Sequence, residues 1–263
     1  MRISLNDYAI SLGQLLTGQR VHDEHRLAAE RAKDIEQWID LSCPQHILDL
    51  ANGRLRPQYE LLKAAGHHVT GIDLINRPRP IGADEIAYRL ARWLYRSRVA
   101  GAPCRTKRLI CGDVGVLPFS DNSFDIVTSI AALEHFLDVS AVVAEIWRVL
   151  RLGGLAYIRI HPFTCPSGGH NVKLMEIPLR RLPAGVDAWD HLRQRRLPFT
   201  VPLNEWRIQQ YVAEFGRHFD IVRHYSAMRE GEELLTPGIE NELAAYTRDE
   251  LTCGAYVIVA RKR

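Results

Sequence analysis

The stretch from Ile47 to Asp73 constrains this chain most. Ile47-Leu48-Asp49-Leu50 is a short apolar run broken by one acid, and it stops at the turn dipeptide Asn52-Gly53. Leu55, Tyr59, Leu62 and Ala65 then recur at helical spacing, which predicts a helix over Leu55–Ala65 with Gly66 just past its end. His68–Ile72 is a second short strand, closed by Asp73. Strand, tight turn, helix and strand make a right-handed crossover between parallel strands. Such a turn offers backbone N–H groups at a helix N-terminus, and an acid closing the second strand can accept from ribose hydroxyls. This is the outline of a nucleoside site.

The glycines bear on which nucleoside. Laid on positions 51–56, the dinucleotide fingerprint G-x-G-x-x-G finds Ala51, Gly53 and Arg56, so only its middle glycine is met. Arg54, Leu55 and Arg56 stand where a pyrophosphate needs close backbone approach.

Residues 108–135 narrow the choice. Arg108–Cys111 reads as a third strand, followed by Gly112-Asp113-Val114. Leu117-Pro118-Phe119-Ser120-Asp121-Asn122-Ser123-Phe124-Asp125 leads into a fourth strand, Ile126–Ile130, and then Ala132-Leu133-Glu134-His135. An amphipathic helix over Asp138–Leu152 ends at Gly153-Gly154, before a fifth strand, Leu155–Ile160. These segments resemble class I S-adenosylmethionine-dependent methyltransferases, in their small-molecule, type 11-like branch. The family's Asp-x-Gly-x-Gly-x-Gly falls on Asp49 to Leu55, with Ala51 and Leu55 replacing the outer glycines. Its Gly-Asp-Ala…Leu-Pro-Phe-x-Asp-x-Ser-Phe-Asp segment is matched from Gly112 to Asp125, and its Arg-Val-Leu-Arg-Pro-Gly-Gly from Arg148 to Gly154, with Leu152 for proline.

The resemblance implies an α/β fold: a Rossmann-like, doubly wound seven-stranded sheet with an antiparallel C-terminal hairpin strand and an inserted substrate cap. A helix over Asn204–Phe215 and strands Phe219–Tyr225 and Thr252–Arg261 follow in the matching order, with a helical excursion over Glu230–Tyr246. The expected organisation is an N-terminal helical segment, 1–43, carrying a helix over His22–Leu41, then a methyltransferase domain, 44–263. Cap or lid insertions are expected at about 77–104, 162–203 and 228–250. The implied cofactor is S-adenosylmethionine, leaving as S-adenosylhomocysteine. Its expected contacts are Asp49, Ala51, Asn52, Gly53, Asp73, Leu74, Gly112, Asp113, Val114, Ile130 and Ala131. By the resemblance, Asp113 accepts from the adenine amino group and the Val114 amide meets a ring nitrogen.

The expected reaction is methyl transfer to an oxygen, nitrogen or carbon nucleophile of a small-molecule or carbohydrate-like acceptor. A sulfonium methyl is already activated, so the protein has to align the nucleophile and remove a proton. His135, after the fourth strand, and His161 and His170, in the loop after the fifth, are the candidate bases, because imidazole titrates near neutral pH. Adjacent strands would let His135 and His161 flank one acceptor hydroxyl. Ala51 and Leu55 in the glycine turn leave a second reading, a cofactor-binding relative with weak or no turnover. A nicotinamide-dependent oxidoreductase is the third.

Composition sets the remaining expectations. A net charge of +3 over 263 residues gives no reason to expect a nucleic-acid partner. The five cysteines show no C-x-x-C pairing, so inert buried thiols are expected and no metal site is. No long apolar stretch occurs, so the reading is cytoplasmic, with no membrane partner; oligomeric state is left open. Arg180, Arg181, Arg193, Arg195 and Arg196 in the second insertion suggest an anionic acceptor. Arg89, Arg92, Arg96 and Arg98, on a helix predicted over Asp84–Val99 and preceded by the basic Arg77–Pro80 loop, read as a solvated face.

Overall fold

Alternation along the strands decides which face of the sheet each residue covers. The computed structural model describes residues 18–76, 83–101, 108–170, 187–199 and 201–263. Its strands are β1 (His46–Leu50), β2 (His68–Ile72), β3 (Arg108–Ile110), β4 (Phe124–Ile130), β5 (Leu150–Ile160), β6 (Phe219–Arg229) and β7 (Cys253–Lys262). They form one sheet in the order β3-β2-β1-β4-β5-β7-β6. The first five are parallel neighbours, and β7 runs antiparallel to both β5 and β6. The expected seven-stranded Rossmann-like sheet with an antiparallel hairpin strand is therefore present.

One face carries Leu48, Val127, Ile158 and Ile258 under helices α4 (Val139–Val149) and α5 (Ile208–His218). The opposite face carries Ile47, Ile126, Tyr157 and Val257. That face is covered by α1 (Gln19–Ile35) and α2 (Pro57–Ala64), through Ile35, Tyr59 and Leu62. Helix α3 (Ala83–Ala100) lies outside them and joins Tyr95 and Val99 to Val21, Leu55 and Leu61. Among the described residues no helix is long and apolar enough to cross a membrane.

Several boundaries differ from the sequence reading for identifiable reasons. Asp138 caps α4 by accepting from the Ala141 N–H at 2.9 Å, but the helix stops at Val149 and β5 begins at Leu150. The strand then runs through Gly153 and Gly154, where a Cβ on Gly154 would come within 2.8 Å of the Asp125 carbonyl. Asn204 does not cap α5. Its amide donates instead to the Leu133 and Phe136 carbonyls, tying the chain before α5 to the turn after β4. Leu55 precedes α2 rather than lying on its first turn. The 230–246 excursion keeps only short helices, a 3-10 turn at Glu232–Leu234 and α6 (Pro237–Glu242), before α7 (Arg248–Thr252).

Ala188, Trp189, Leu235, Leu243 and Leu251 meet in a small apolar cluster. The Trp189 indole donates to the Leu251 carbonyl at 3.0 Å, and Arg207 makes a two-pronged ion pair with Glu250 at 2.7 Å per arm. Cys165 and Cys253 are buried as expected, whereas Cys43 and Cys111 are exposed. Residues 77–80, Cys104, Arg180 and Arg181 lie outside the described residues.

Helix α1 is fastened to the sheet by a buried acid. Asp34 accepts from the Tyr225 hydroxyl at 2.7 Å and pairs with Arg223 at 3.0 Å. Removing it takes the acceptor from a half-buried hydroxyl and the partner from Arg223, so Asp34→Ala should cost about 1.5–3 kcal/mol in urea unfolding. Loss below about 0.5 kcal/mol would show that α1 is held by its apolar face alone.

Candidate active site

The carboxyl ends of β1, β2 and β4 stand level, because Leu50 is paired with Ile72 on one side and Ser129 on the other. β3 ends level with β2, with Ile72 opposite Ile110. The turns leaving these four strands therefore open on one edge. At that edge Asp73 receives the Gly53 N–H at 2.8 Å on one oxygen and the Ile75 N–H at 2.9 Å on the other. It ties the turn after β1 to the end of β2 and keeps further acceptor lone pairs. Leu74, beside it, is 65% exposed, an apolar side chain turned to solvent. Asp113 is exposed and uses one oxygen to accept from the Gly115 N–H at 2.9 Å, while Val114 is buried.

Both oxygen and nitrogen of the Asn52 amide are buried and lack hydrogen-bond partners among the described residues. The amide lies on Gly71, where a Cβ would come within 2.2 Å of its nitrogen. Ala51 has φ 51°, in the left-handed region that glycine would occupy without strain, as does Ala131 after β4 with φ 49°. For an alanine this costs about 1–2 kcal/mol, so the turn keeps its left-handed residue at Ala51 without a glycine there. Arg96 of α3 holds it from outside, donating to the Leu55 carbonyl at 2.9 Å and the Arg54 carbonyl at 3.0 Å. It is buried rather than part of the solvated face expected for it. Burial lifts the Asp49 carboxyl to about 7, opposed by the Arg31 guanidinium from α1. Thus an unpaired buried amide, an exposed apolar wall and two carboxylates converge where a nucleoside cofactor would lie. A cavity of about 140 Å³ between α1 and the sheet is lined by Ala28, Ile47, Ile126 and Thr128; it lies on the sheet face, away from this edge.

The three histidines do assemble. The His170 ring stands edge-on to His135 at 4.6 Å and to His161 at 4.9 Å between centroids. His135 and His161 therefore do not flank an open space; His170 fills it. The 161–170 loop can reach back this far because Gly168 and Gly169 pass close to other atoms. A Cβ on Gly168 would come within 2.3 Å of the Phe163 carbonyl, and one on Gly169 within 2.8 Å of His191. His170 itself is held at φ 48°.

Their surroundings separate the three. Ser167 Oγ donates its only hydrogen to Glu230 Oε1 at 2.6 Å and lies 2.9 Å from His161 Nε2. His161 must then donate from Nε2, which leaves its lone pair on Nδ1. His135 Nδ1 lies 3.0 Å from the Pro202 carbonyl, an acceptor only, so its lone pair is on Nε2. Burial pushes His170 down to about 3, reinforced by His161 and His135. It also lowers His161, with the Glu230 carboxylate opposing. The titration near 6.5 expected from the sequence applies to neither. Glu134 is buried beneath them, lifted by burial to about 8, although the amides of Glu134 and His161 favour its charged form.

Sequence reasoning passed over Ser167, Glu230 and Glu134 as site residues. Glu134 had a signal, the Glu-His pair after β4; Ser167 and Glu230 are brought together only by the fold. The described insertion arginines carry no spare charge: Arg193 pairs with Glu242, Arg195 with Glu205 and Arg196 with Asp187.

Residues 48–158 match the family described as "Methyltransferase domain". The stretch from β1 into β5 thus carries a methyltransferase domain. A sterol 24-C-methyltransferase of Gibberella zeae is 35% identical over 117 residues, 44% of this chain and 28% of that protein. A demethylmenaquinone methyltransferase of Roseiflexus castenholzii is 33% identical over 99 residues, 35% of this chain and 42% of that protein. The chain thus spans less than half the length of these curated relatives. A S-adenosylmethionine-dependent methyltransferase of Methanosarcina mazei superposes with TM-score 0.51 at 18% identity, over 87% of this chain and 96% of that one. One from Mesorhizobium loti gives TM-score 0.52 at 16% identity, over 88% and 96%. These two share the fold.

Asp73 and Asp113 should separate in calorimetry with S-adenosylhomocysteine. Asp113→Ala, at an exposed position, should weaken binding by about 1.5–3 kcal/mol with unchanged unfolding. Asp73→Ala should lose similar affinity and also lower the unfolding midpoint, because it frees the Gly53 turn. Wild-type affinity in Asp113→Ala would remove that residue from the adenine site.

Proposed function

We propose that this protein transfers the methyl group of S-adenosylmethionine to a small-molecule acceptor bearing a hydroxyl, methylating that oxygen or a carbon activated by its deprotonation. The observation that carries this reading is the His161–Ser167–Glu230 chain at the carboxyl end of β5, the sheet edge where the cofactor turns converge. In open α/β sheets ligands lie beyond the carboxyl ends of the strands. Asp73 would take the ribose hydroxyls, Asp113 and Val114 the adenine, and Asn52 and Gly53 the remainder of the cofactor. When bound, the sulfonium supplies an activated methyl.

The protein's own residues supply the proton acceptor. His161 Nδ1 would take the acceptor proton, and the resulting imidazolium would be stabilised through Ser167 by the Glu230 carboxylate, the logic of a triad with a hydroxyl relay. His170 orients the rings, since at about 3 it stays neutral across physiological pH. The internally paired arginines do not favour an anionic acceptor. Similarity to sterol and quinone C-methyltransferases supports a hydroxylated, largely apolar one.

Turnover is followed as S-adenosylhomocysteine release over a panel of phenols, hydroquinones, sterols and sugars. On the acceptor so found, His161→Ala should lower kcat by about 10²–10⁴ with cofactor affinity nearly kept. Glu230→Gln should give a smaller loss. Full turnover in His161→Ala would show that alignment suffices or that the base is elsewhere.

A further inference from the structure

One cluster of ligand-type side chains takes no part in that proton relay. Glu134, His135 and His170 each place a donor atom so that all three lie within 4.8 Å of one another. His170 Nε2 and Glu134 Oε1 are 4.0 Å apart. Donors around a tetrahedral ion with bonds of about 2.1 Å sit about 3.4 Å apart, so closure on an ion needs shifts of about an ångström.

Two observations point to a ligand here. Glu134 is 1% exposed, and the amides of Glu134 and His161 that lie toward its carboxylate do not reach hydrogen-bond geometry, so neither oxygen has a hydrogen-bond partner among the described residues. A buried carboxylate left so is costly in a fold that had no use for it. His135 Nδ1 is taken up by the Pro202 carbonyl at 3.0 Å, which orients the ring and leaves Nε2 as the nitrogen available to a ligand. The second nearby group, His161, Cys165 and Glu230, also meets the distance test but differs in kind. Its donors are bound to one another: Ser167 links His161 to Glu230, and the Cys165 thiol lies 3.4 Å from His161 Nε2. It is a closed network, whereas the Glu134 carboxylate has no such partner among the described residues.

We infer that Glu134, His135 and His170 bind one divalent transition-metal ion. The set of two imidazoles and one carboxylate suits zinc, manganese, iron(II) or cobalt, and leaves coordination positions open. The ion lies against His161, through the His161–His170 contact. Resting on the reading of the acceptor given above, an open position would take the acceptor oxygen, lowering its pKa and fixing it before the methyl. No oxidation state changes; the acceptor proton passes to His161.

The test needs neither cofactor nor acceptor, so it fails independently of the proposed activity. The full chain is stripped with a chelator and titrated with zinc chloride at pH 7.5 by calorimetry, then with cobalt(II) by visible absorption. One ion per chain should bind with sub-micromolar Kd, and Glu134→Gln and His170→Ala should each weaken it by about 100-fold or more. Cys165→Ser should bind as wild type, and cobalt should give ligand-field bands without a thiolate charge-transfer band. The cobalt spectrum of the wild type decides even where a variant does not fold. Absence of binding by zinc and cobalt, wild-type affinity in Glu134→Gln, or a thiolate band would overturn the assignment.

Discussion

The level pairing of β1 with both β2 and β4 is the constraint on which the rest of the site depends. Leu50 opposite Ile72 and Ser129 puts the turns at Ala51–Gly53, Asp73–Asn76 and Ala131–Glu134 at one edge. A slip of one residue would exchange the faces of Ile47 and Leu48 and force each into the other's packed layer. The two apolar layers, under α4 and α5 and under α1 and α2, hold that register. They leave polar groups to collect where the strands end.

What collects there divides by how its hydrogen bonds are met. The His161–Ser167–Glu230 network is internally complete, and the loop carrying it is buried and pinned, with Thr164 donating to the Glu250 carbonyl. Such a network fixes a tautomer and positions a base. Asn52 and Glu134 are buried with polar atoms unmatched among the described residues. Unmatched groups of this kind are the ones a cofactor, acceptor or ion would satisfy.

Much of the fold was legible because it is written in local patterns. The apolar runs of β1, β2, β4 and β5, the amphipathic pattern of α4 and the Gly112–Asp125 segment each specify their own neighbourhood. Boundaries were misread where distant contacts intervene: Asn204 looks like a cap but holds the Leu133 and Phe136 carbonyls. The histidines were legible from their places at strand ends, but their mutual order was not. His170 standing between the other two depends on Gly168 and Gly169 threading past Phe163 and His191. Arg96 read as a solvated residue because nothing local shows that its targets, the Arg54 and Leu55 carbonyls, come from a turn far back in the chain. The insertion's charge misled for the same reason, since Glu242 lies in the other insertion.

We propose that this edge holds S-adenosylmethionine although Ala51 and Leu55 replace two glycines of the turn. Thermal unfolding of the wild-type chain at increasing S-adenosylhomocysteine tests it directly. The account predicts a midpoint that climbs with ligand concentration, since a ligand at 100 times its Kd adds about 2.7 kcal/mol to stability, while nicotinamide dinucleotides leave it unmoved. A midpoint indifferent to S-adenosylhomocysteine, or one raised by a nicotinamide dinucleotide, would contradict it.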